Sequence, residues 1–220
     1  MIIAIDGPAG AGKSTIAKII AQKLGFLYID TGAMYRALTL KVIEEEADIK
    51  DPERIVEIAS KSSIDLINNP DGSLKVMLDG RDISMQIREP RITRFVSDIA
   101  KIKGVREIML RLQRNFGKKG HCVLDGRDIG TVVFPDADKK FYLDARFKER
   151  VKRRHQELNG LGQEVSAKDV EGDLKNRDTI DSTREIAPLK KAEDAVYIDT
   201  TDLTIEDVSG KVLGLIRGNG

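Results

Sequence analysis

Gly7-Pro8-Ala9-Gly10-Ala11-Gly12-Lys13-Ser14 follows an apolar run at residues 1–6 and leads directly into an amphipathic segment that begins at Thr15. The stretch fits the pattern G-x-x-x-x-G-K-[ST] between a predicted buried strand and a predicted helix, which is the context that phosphate binding requires. Glycines let successive backbone N–H groups point at an anion, and the helix N-terminus adds its positive end. A simple glycine-rich turn would not need the Gly-Lys-Ser ending. We therefore predict a P-loop that binds ATP or GTP.

Two side chains of this loop have predicted roles in phosphate chemistry. Lys13 is expected to reach the β- and γ-phosphates, and the Ser14 hydroxyl is expected to bind Mg²⁺ as the cofactor. The predicted ATP-binding residues are Gly7, Pro8, Ala9, Gly10, Ala11, Gly12, Lys13, Ser14 and Thr15. The loop alone leaves open whether water or a second substrate accepts the phosphate.

Length and composition favour one soluble α/β domain. A chain of 220 residues is long enough for one core with insertions and short for two independent domains. Its 37 Lys and Arg balance 36 Asp and Glu, and aromatic residues make up 5%, so no surface for nucleic acid is expected. The single cysteine, Cys122, forms no disulfide within the chain. Without an export signal or a membrane-length apolar run, we expect a cytoplasmic protein with no membrane partner.

Five predicted strands end in aspartate and are expected to form a parallel sheet between helices. The aspartates are Asp6, Asp30, Asp125, Asp144 and Asp199. Ligands of open α/β sheets bind at the carboxyl edge of the strands, so the chemistry is expected along this rim. Aspartate also caps helices and begins turns, so most of the five are expected to be structural. Asp6 and Asp125 are the candidates for a catalytic role.

Two segments interrupt the predicted core. In residues 62–103, two stretches of period-two alternation flank the turn sequence Asn69-Pro70-Asp71-Gly72, which predicts a small antiparallel sheet. A helix that starts at Pro90 follows, and Gly104 is predicted to break it. Residues 148–184 are highly charged and helical. Because no apolar face in them is wide enough to bury firmly, we expect this segment to be mobile.

Several arginines lie where a phosphate ester could bind. Arg36, Arg106 and Arg127 fall at predicted strand edges or at a helix start, and Arg177 and Arg184 lie at the end of the charged segment. The planar guanidinium suits two-point contact with phosphate better than an ammonium does. A solvated helix face is the alternative for any one of them. As a set, their positions favour an acceptor that itself carries a phosphate.

Four motifs in chain order resemble those of the bacterial cytidylate kinases, which are P-loop nucleoside monophosphate kinases. They are Ile5-Asp6 with the P-loop, Asp30-Thr31-Gly32-Ala33-Met34-Tyr35-Arg36, Asp125-Gly126-Arg127-Asp128-Ile129-Gly130-Thr131-Val132-Val133-Phe134-Pro135, and Arg177-Asp178-x-x-Asp181-x-x-Arg184-x-x-Ala187-Pro188-Leu189. The third motif is far more discriminating than the P-loop. Its first five residues recur at 79–83, outside any matching motif, where we interpret them as a turn.

The resemblance implies ATP-dependent phosphorylation of CMP or dCMP by a single P-loop kinase domain over residues 1–220. It implies that residues 62–103 bind the nucleoside monophosphate and that residues 148–184 form a lid. The implied acceptor-binding residues are Thr31, Arg36, Ser97, Arg106, Arg127, Asp128, Arg177, Asp181 and Arg184. The implied catalytic residues are Lys13, Arg127 and Arg177, and a monomer is expected.

The chemistry of these residues agrees with a cytosine site. Cytosine presents an amino donor beside two acceptors, so a carboxylate together with hydroxyl or guanidinium donors can select it over uracil. Ser97, Arg106 and Asp128 supply that mixture. The attacking phosphate oxygen is already anionic, so charge neutralisation replaces a general base. The candidate lid arginines for this are Arg150, Arg153, Arg154 and Arg177, of which only Arg177 falls in a matching motif.

Other classes of P-loop protein are weighed against this interpretation. A kinase for another small acceptor, such as a different nucleotide or shikimate, stays open. A GTPase switch would carry an N-K-x-D guanine signature, and the sequence contains none. An ATPase that acts on nucleic acid would need a basic stripe or an aromatic platform, which the neutral charge and the few aromatic residues do not provide.

Overall fold

The strands of the chain separate into two sheets. A computed structural model describes residues 1–218. Its strands are β1 (Ile2–Asp6), β2 (Leu27–Asp30), β3 (Ile64–Asn68), β4 (Leu74–Leu78), β5 (Arg81–Asp82), β6 (Cys122–Gly126), β7 (Lys139–Asp144) and β8 (Val196–Asp199). Five of them form a parallel sheet in the order β2-β6-β1-β7-β8, while β3, β4 and β5 form a small antiparallel sheet. Both sheets agree with the sequence prediction.

Helices cover both faces of the parallel sheet. They are α1 (Lys13–Leu24), α2 (Thr31–Glu44), α3 (Pro52–Lys61), α4 (Pro90–Ala100), α5 (Lys103–Gly117), α6 (Phe147–Gly160), α7 (Ala167–Thr183) and α8 (Ile205–Arg217). Side chains of a strand point alternately to opposite faces. Ile3 and Ile5 of β1 therefore pack with α1 and α8, whereas Ala4 packs with the layer from α2 to α5. The predicted three-layer α/β core is confirmed. Within residues 1–218, no helix has both the length and the apolar character needed to cross a membrane.

Several helix ends follow local sequence signals. Gly25 ends α1 with a φ of 68°, in the left-handed region that favours glycine. The side chain of Ser166 accepts a hydrogen bond from the backbone N–H of Asp169 at the start of α7. Thr204 and Asp207 form a reciprocal capping box at the start of α8. From the sequence alone, a glycine after an apolar helical stretch predicts the first of these ends, and the spacings Ser166-x-x-Asp169 and Thr204-x-x-Asp207 predict the other two.

Gly104 does not break a helix, contrary to the prediction. It is the second residue of α5, and the chain turns earlier, at Lys101 and Ile102. A Cβ on Gly104 would lie 2.6 Å from Cγ2 of Val56 in α3. The glycine therefore allows α3 and α5 to pack closely, a role that depends on a distant residue and leaves no local pattern.

The charged segment has a small apolar core that its sequence pattern does not predict. Leu158 of α6 is buried with Val170 and Leu174 of α7, and the cluster includes Ala9 of the P-loop. Each helix contributes so few apolar residues that neither shows a wide apolar face by itself. The expectation that nothing in this segment is firmly buried is therefore wrong, while its mobility stays a prediction.

Asp6 holds the loop that follows β6. Its carboxylate accepts hydrogen bonds from the backbone N–H groups of Ile129 and Gly130, both at 2.8 Å, where a π-helical turn (Ile129–Val133) begins. Burial raises the pKa of Asp6 to about 7, although the two backbone donors oppose the shift. Asp6 thus positions this loop, and a catalytic role beside the P-loop stays a prediction.

One side chain of the small sheet hydrogen-bonds to the edge strand of the parallel sheet. On its open side, the edge strand β2 would leave backbone groups without a strand partner. Asn68, the last residue of β3, accepts a hydrogen bond from the backbone N–H of Tyr28 at 2.9 Å and donates one to its backbone oxygen at 3.1 Å. The amide of Asn68 therefore takes the place of a neighbouring strand at this residue.

Replacing Asn68 with alanine is expected to destabilise the fold. The substitution leaves two backbone groups of Tyr28 without their partner, which costs about 2 kcal/mol. In a chain of this size, that loss lowers the Tm by about 4–8 °C. Differential scanning calorimetry measures the change, with Asp65→Ala, at an exposed position of the same strand, as the matched control. An equal Tm for the two variants would contradict the role of Asn68.

Candidate active site

The P-loop between β1 and α1 has the conformation that its glycines allow. Gly7, Gly10 and Gly12 have positive φ values of 145°, 78° and 85°. A Cβ on Gly7 would lie 1.9 Å from the backbone oxygen of Leu143 in β7, so another residue would force the backbone to move. The predicted succession of strand, anion-binding loop and helix N-terminus is therefore present.

Lys13 is buried at the first position of α1. Its Nζ donates a hydrogen bond to the backbone oxygen of Pro8 at 2.7 Å. Burial, followed by the nearby Arg127, lowers the pKa of Lys13, and the carboxylate of Asp125 opposes that shift. Bound phosphate would add negative charge beside the ammonium and favour its charged form. The surroundings of Lys13 thus suit the predicted contact with phosphate.

Asp125 links the P-loop helix to β6. The Ser14 hydroxyl donates to Oδ2 of Asp125 at 2.7 Å, and the Tyr28 hydroxyl donates to Oδ1 at 2.8 Å. Burial, and next the charge of Asp30, raises the pKa of Asp125. Of the two aspartates considered for catalysis, Asp125 is therefore the one beside Ser14. The Ser14 hydroxyl and the Asp125 carboxylate together offer two oxygen ligands of the kind that Mg²⁺ prefers.

A cavity of about 550 Å³ runs from the P-loop to α4 and α7. Of the predicted ATP-binding residues, Ala9, Gly10, Lys13, Ser14 and Thr15 line it, while Gly7, Pro8, Ala11 and Gly12 complete the loop. All of the predicted acceptor-binding residues also line it, namely Thr31, Arg36, Ser97, Arg106, Arg127, Asp128, Arg177, Asp181 and Arg184. The fold brings together segments that are far apart in the sequence.

Alternating charges join most of these residues into one network. Arg106 and Asp128 form an ion pair at 2.5 Å, and both side chains are less than one-tenth exposed. Arg184 lies 3.4 Å from Asp128 and 3.5 Å from Asp181. Asp181 in turn binds Nε of Arg127 at 2.8 Å. The carboxylates therefore hold three guanidinium groups in fixed directions around the cavity.

Arg177 differs from these arginines because its buried Nε has no hydrogen-bond partner among residues 1–218. Burial, followed by the charge of Arg127, lowers the pKa of Arg177 to about 10. Arg127 and Arg177 also lower the pKa of Lys13. The three predicted catalytic residues are thus cations that repel one another around one cavity, and anionic phosphates would relieve that repulsion.

Thr31 and Arg36 are held at the carboxyl ends of β2 and β6. The Thr31 hydroxyl donates to the backbone oxygen of Asp125 at 2.7 Å. Asp30 accepts a hydrogen bond from the N–H of Ala33 at 2.7 Å, and its other oxygen binds Nη2 of Arg36 at 3.2 Å. Asp30, expected to be structural, therefore both caps α2 and orients an arginine of the site.

Tyr35 is a residue of the site that the sequence reasoning missed. It lines the cavity, and its ring centroid lies 5.7 Å from the guanidinium carbon of Arg106. Burial raises the pKa of its hydroxyl to about 12, so the ring is neutral beneath the cation. Its position directly before Arg36, within the second motif, was the available signal.

The three arginines of α6 point to different surroundings, which their spacing did not reveal. Arg154 lines the cavity. Arg153 donates to the backbone oxygens of Thr200 and Thr201 at 2.6 and 3.2 Å. Arg150 is buried against the P-loop and donates to the backbone oxygen of Ala9. Of these lid candidates, Arg154 therefore resembles Arg177 in facing the cavity.

Comparison with known proteins gives the family. A family model described as cytidylate kinase matches residues 3–218. The chain belongs to the cytidylate kinase family. Relatives named cytidylate kinase include those of Caldanaerobacter subterraneus subsp. tengcongensis (54% identical, covering 99% of this chain and 95% of the relative), Bacillus velezensis (47%, 98% and 96%) and Caldicellulosiruptor saccharolyticus (50%, 97% and 94%). The resemblance carried by the four motifs is confirmed.

Solved structures share the fold of this family member at much lower sequence identity. An uncharacterized protein from Eubacterium ventriosum matches with a TM-score of 0.53 and 12% identity, covering 99% of this chain and 98% of that chain. TT1252 from Thermus thermophilus matches with a TM-score of 0.50 and 15% identity, covering 100% and 98%. These similarities support the arrangement of sheets and helices and carry no information about substrate.

Proposed function

We propose that this member of the cytidylate kinase family transfers the γ-phosphate of ATP to CMP or dCMP and releases ADP with CDP or dCDP. One observation carries the proposal: the P-loop lines the same cavity as all nine residues expected to bind the acceptor. A donor phosphate in the loop would therefore face an acceptor phosphate among the arginines. The name shared by the relatives supports cytidylate as that acceptor.

The transfer needs positioning and charge neutralisation more than proton transfer. An anionic oxygen of the CMP phosphate attacks the γ-phosphorus, and the bond from that phosphorus to the β–γ bridging oxygen breaks. Lys13 binds the β- and γ-phosphates, while Arg127 and Arg177 neutralise charge on the transferred group. Residues 148–184 act as a lid that keeps water away from the γ-phosphate. Lys13, Arg127 and Arg177 all line the cavity.

Ser14 and Asp125 would hold Mg²⁺. The donor set fits, since both groups end in oxygen and lie 2.7 Å apart, and Mg²⁺ commonly binds one or two protein oxygens together with substrate phosphates. When bound, the ion neutralises phosphate charge. The raised pKa of Asp125 indicates a carboxylate whose charge a cation would stabilise.

Removal of the metal is expected to stop turnover. Excess EDTA should abolish the release of ADP from ATP and CMP, and added Mg²⁺ should restore it. Asp125→Asn is expected to raise the Mg²⁺ concentration needed for half-maximal rate by about tenfold to a hundredfold. Asp136→Asn, at an exposed position after the same strand, is the control. An unchanged Mg²⁺ requirement for Asp125→Asn would contradict the assignment.

Asp128 selects cytosine in this proposal. Its carboxylate binds Arg106 and Arg184, and each oxygen retains acceptor capacity for the amino group of cytosine. Ser97, buried on α4, and Arg106 supply donors for the acceptors of the base. Uracil presents a carbonyl where cytosine presents the amino group, so its oxygen would face the carboxylate of Asp128.

Asp128→Asn is expected to erode the preference for cytosine. The ratio of kcat/KM for CMP to that for UMP should fall about tenfold to a hundredfold, because asparagine can donate to the uracil carbonyl and the cost of a buried unpaired group disappears. The ratio is measured with purified enzyme, and Asp136→Asn serves as the control. A ratio that stays at the wild-type value would contradict the role of Asp128.

Four finer expectations belong to the same proposal. The adenine of ATP would lie near residues 200–205, where Arg153 already holds two backbone oxygens. The enzyme would act as a monomer in the cytoplasm, in pyrimidine nucleotide metabolism. Analytical ultracentrifugation at working concentration tests the monomer, and a species of twice the chain mass would reject it.

The decisive experiment is a coupled assay of ADP release with ATP and Mg²⁺ against CMP, dCMP, UMP, AMP, GMP, shikimate and no acceptor. We expect strong turnover with CMP and dCMP. A clear optimum on another acceptor would replace the substrate in the proposal and leave the kinase chemistry intact. Equal ADP release without an acceptor would show transfer to water and reject the kinase proposal.

A further inference from the structure

Arg150 connects the P-loop to the helix that carries Arg177. Its Nη1 donates to the backbone oxygen of Ala9 at 3.0 Å and to Oδ2 of Asp178 at 2.5 Å, and its Nε donates to the backbone oxygen of Ala145 at 3.0 Å. The side chain of Arg150 is only 9% exposed. One buried guanidinium thus binds the P-loop, the end of β7 and α7 at the same time.

The P-loop backbone is in direct contact with α6 at this point. A Cβ on Gly10 would lie 2.9 Å from the backbone oxygen of Arg150, and Ala9 is buried with apolar residues of α6 and α7. Apolar contacts of this kind hold two surfaces together but do not fix their relative orientation. A charged hydrogen bond constrains both distance and angle. The pair of Arg150 and Asp178 therefore supplies the directional link between the P-loop and α7.

Arg177 and Asp178 are neighbours on α7, so their side chains diverge by about 100° around the helix axis. Arg177 lines the cavity, whereas Asp178 binds Arg150. Nε of Arg177 has no hydrogen-bond partner within residues 1–218. We therefore expect the position of its guanidinium to depend on the position of the turn of α7 that bears it. The ion pair one residue away holds that turn.

We propose that Arg150 and Asp178 are positioning residues that hold Arg177 over the P-loop during phosphoryl transfer, an inference that rests on the proposed function. Neither side chain needs to touch a nucleotide. Arg150 stood among the arginines that the sequence suggested for phosphate contact, and its bonds give it a different task. Loss of the link should lower kcat more than it changes KM, because Arg177 stabilises charge in the transition state.

The test is a double-mutant cycle of Asp178→Asn and Arg177→Ala, measured as kcat and KM with CMP. We expect Asp178→Asn alone to lower kcat by about tenfold to a hundredfold, with KM changed less than about threefold. In the Arg177→Ala background, the same substitution should change kcat by less than about twofold, because both residues act through one guanidinium. Equal losses in the two backgrounds, or a wild-type kcat for Asp178→Asn, would overturn the proposal.

Two further variants separate positioning from general damage to α7. Glu171→Gln removes a negative charge from an exposed position of the same helix and should keep the wild-type kcat. Arg150→Lys keeps the positive charge, but a single ammonium nitrogen cannot reproduce the planar fork that binds three acceptors. It should give a kcat between those of wild type and Asp178→Asn, and a wild-type value would overturn the role assigned to Arg150.

Hydrogen exchange of the backbone amides in 167–183 reports on the link without requiring turnover. Asp178→Asn should exchange faster than Glu171→Gln in α7, with no difference between the two in the central sheet. If wild type fails to turn over CMP, the proposed function fails while this comparison still tests the link. If wild type is active and α7 exchanges equally in both variants, the link alone is overturned.

Discussion

Replacing Lys13 with methionine is expected to lower kcat with CMP by about 10²- to 10³-fold, equivalent to about 2.7–4 kcal/mol of transition-state stabilisation. Lys13 is only 5% exposed and sits at the anion-binding end of α1. In a site that excludes water, a single positive charge aimed at the phosphates acts much more strongly than it would in solvent. Methionine preserves most of the apolar stem, so the loss isolates the charge.

The Lys13 variant is best compared with Lys23→Met, which removes a charge from an exposed position in the last turn of the same helix. That control should retain wild-type kcat and Tm. Steady-state kinetics with ATP and CMP both varied would separate an effect on kcat from weaker ATP binding. A kcat within threefold of wild type for Lys13→Met would refute a direct role of Lys13 in the transfer.

Arg177→Ala is expected to reduce kcat by about 10²- to 10³-fold as well. The pKa of Arg177 is lowered to about 10 by burial and by the neighbouring Arg127, which indicates a cation held where positive charge is in excess. Phosphates entering the cavity would bring the compensating negative charge. A guanidinium free of a partner at Nε can then form its bonds to the transferred group, which accounts for a large effect on kcat.

The matched control for Arg177→Ala is Lys175→Ala, which removes a charge from an exposed position on the same helix and should leave kcat unchanged. Arg177→Lys should recover only part of the rate, because an ammonium lacks the planar fork. Preference for CMP over UMP should survive in all these variants. If Arg177→Ala instead changed that preference and spared kcat, the roles of Arg177 and Asp128 would have to be exchanged.

Signals that lie within one segment predicted the structure well. The P-loop follows from eight consecutive residues, and the ends of α1, α7 and α8 follow from Gly25, Ser166 and Thr204. Strands that end in aspartate placed the site at the carboxyl edge of the sheet, where Asp125 indeed meets Ser14. In each case, conformation depends on neighbours in the chain, so the pattern can be read locally.

Roles that depend on a distant partner were missed or assigned wrongly. Gly104 looks like a helix breaker until Val56 is seen 2.6 Å from its would-be Cβ. Asp6 also holds the backbone of the loop after β6, a contact that its place beside the P-loop did not predict. Asn68 precedes the predicted turn at 69–72, and nothing local shows that it completes the edge of a strand 40 positions away. No periodicity encodes such contacts.

The sequence by itself determined the α/β class and the P-loop, because glycine conformations and strand alternation are local properties. The resemblance of its four motifs gave the family and a predicted set of acceptor-binding residues, all of which line one cavity. Only the tertiary structure decided what each arginine of α6 contacts. Arg150, Arg153 and Arg154 lie within five consecutive positions, yet Arg150 binds the P-loop, Arg153 binds the loop after β8 and Arg154 lines the cavity. Helix geometry points the three side chains in different directions, but the surface that each one meets is set by segments that are distant in the sequence.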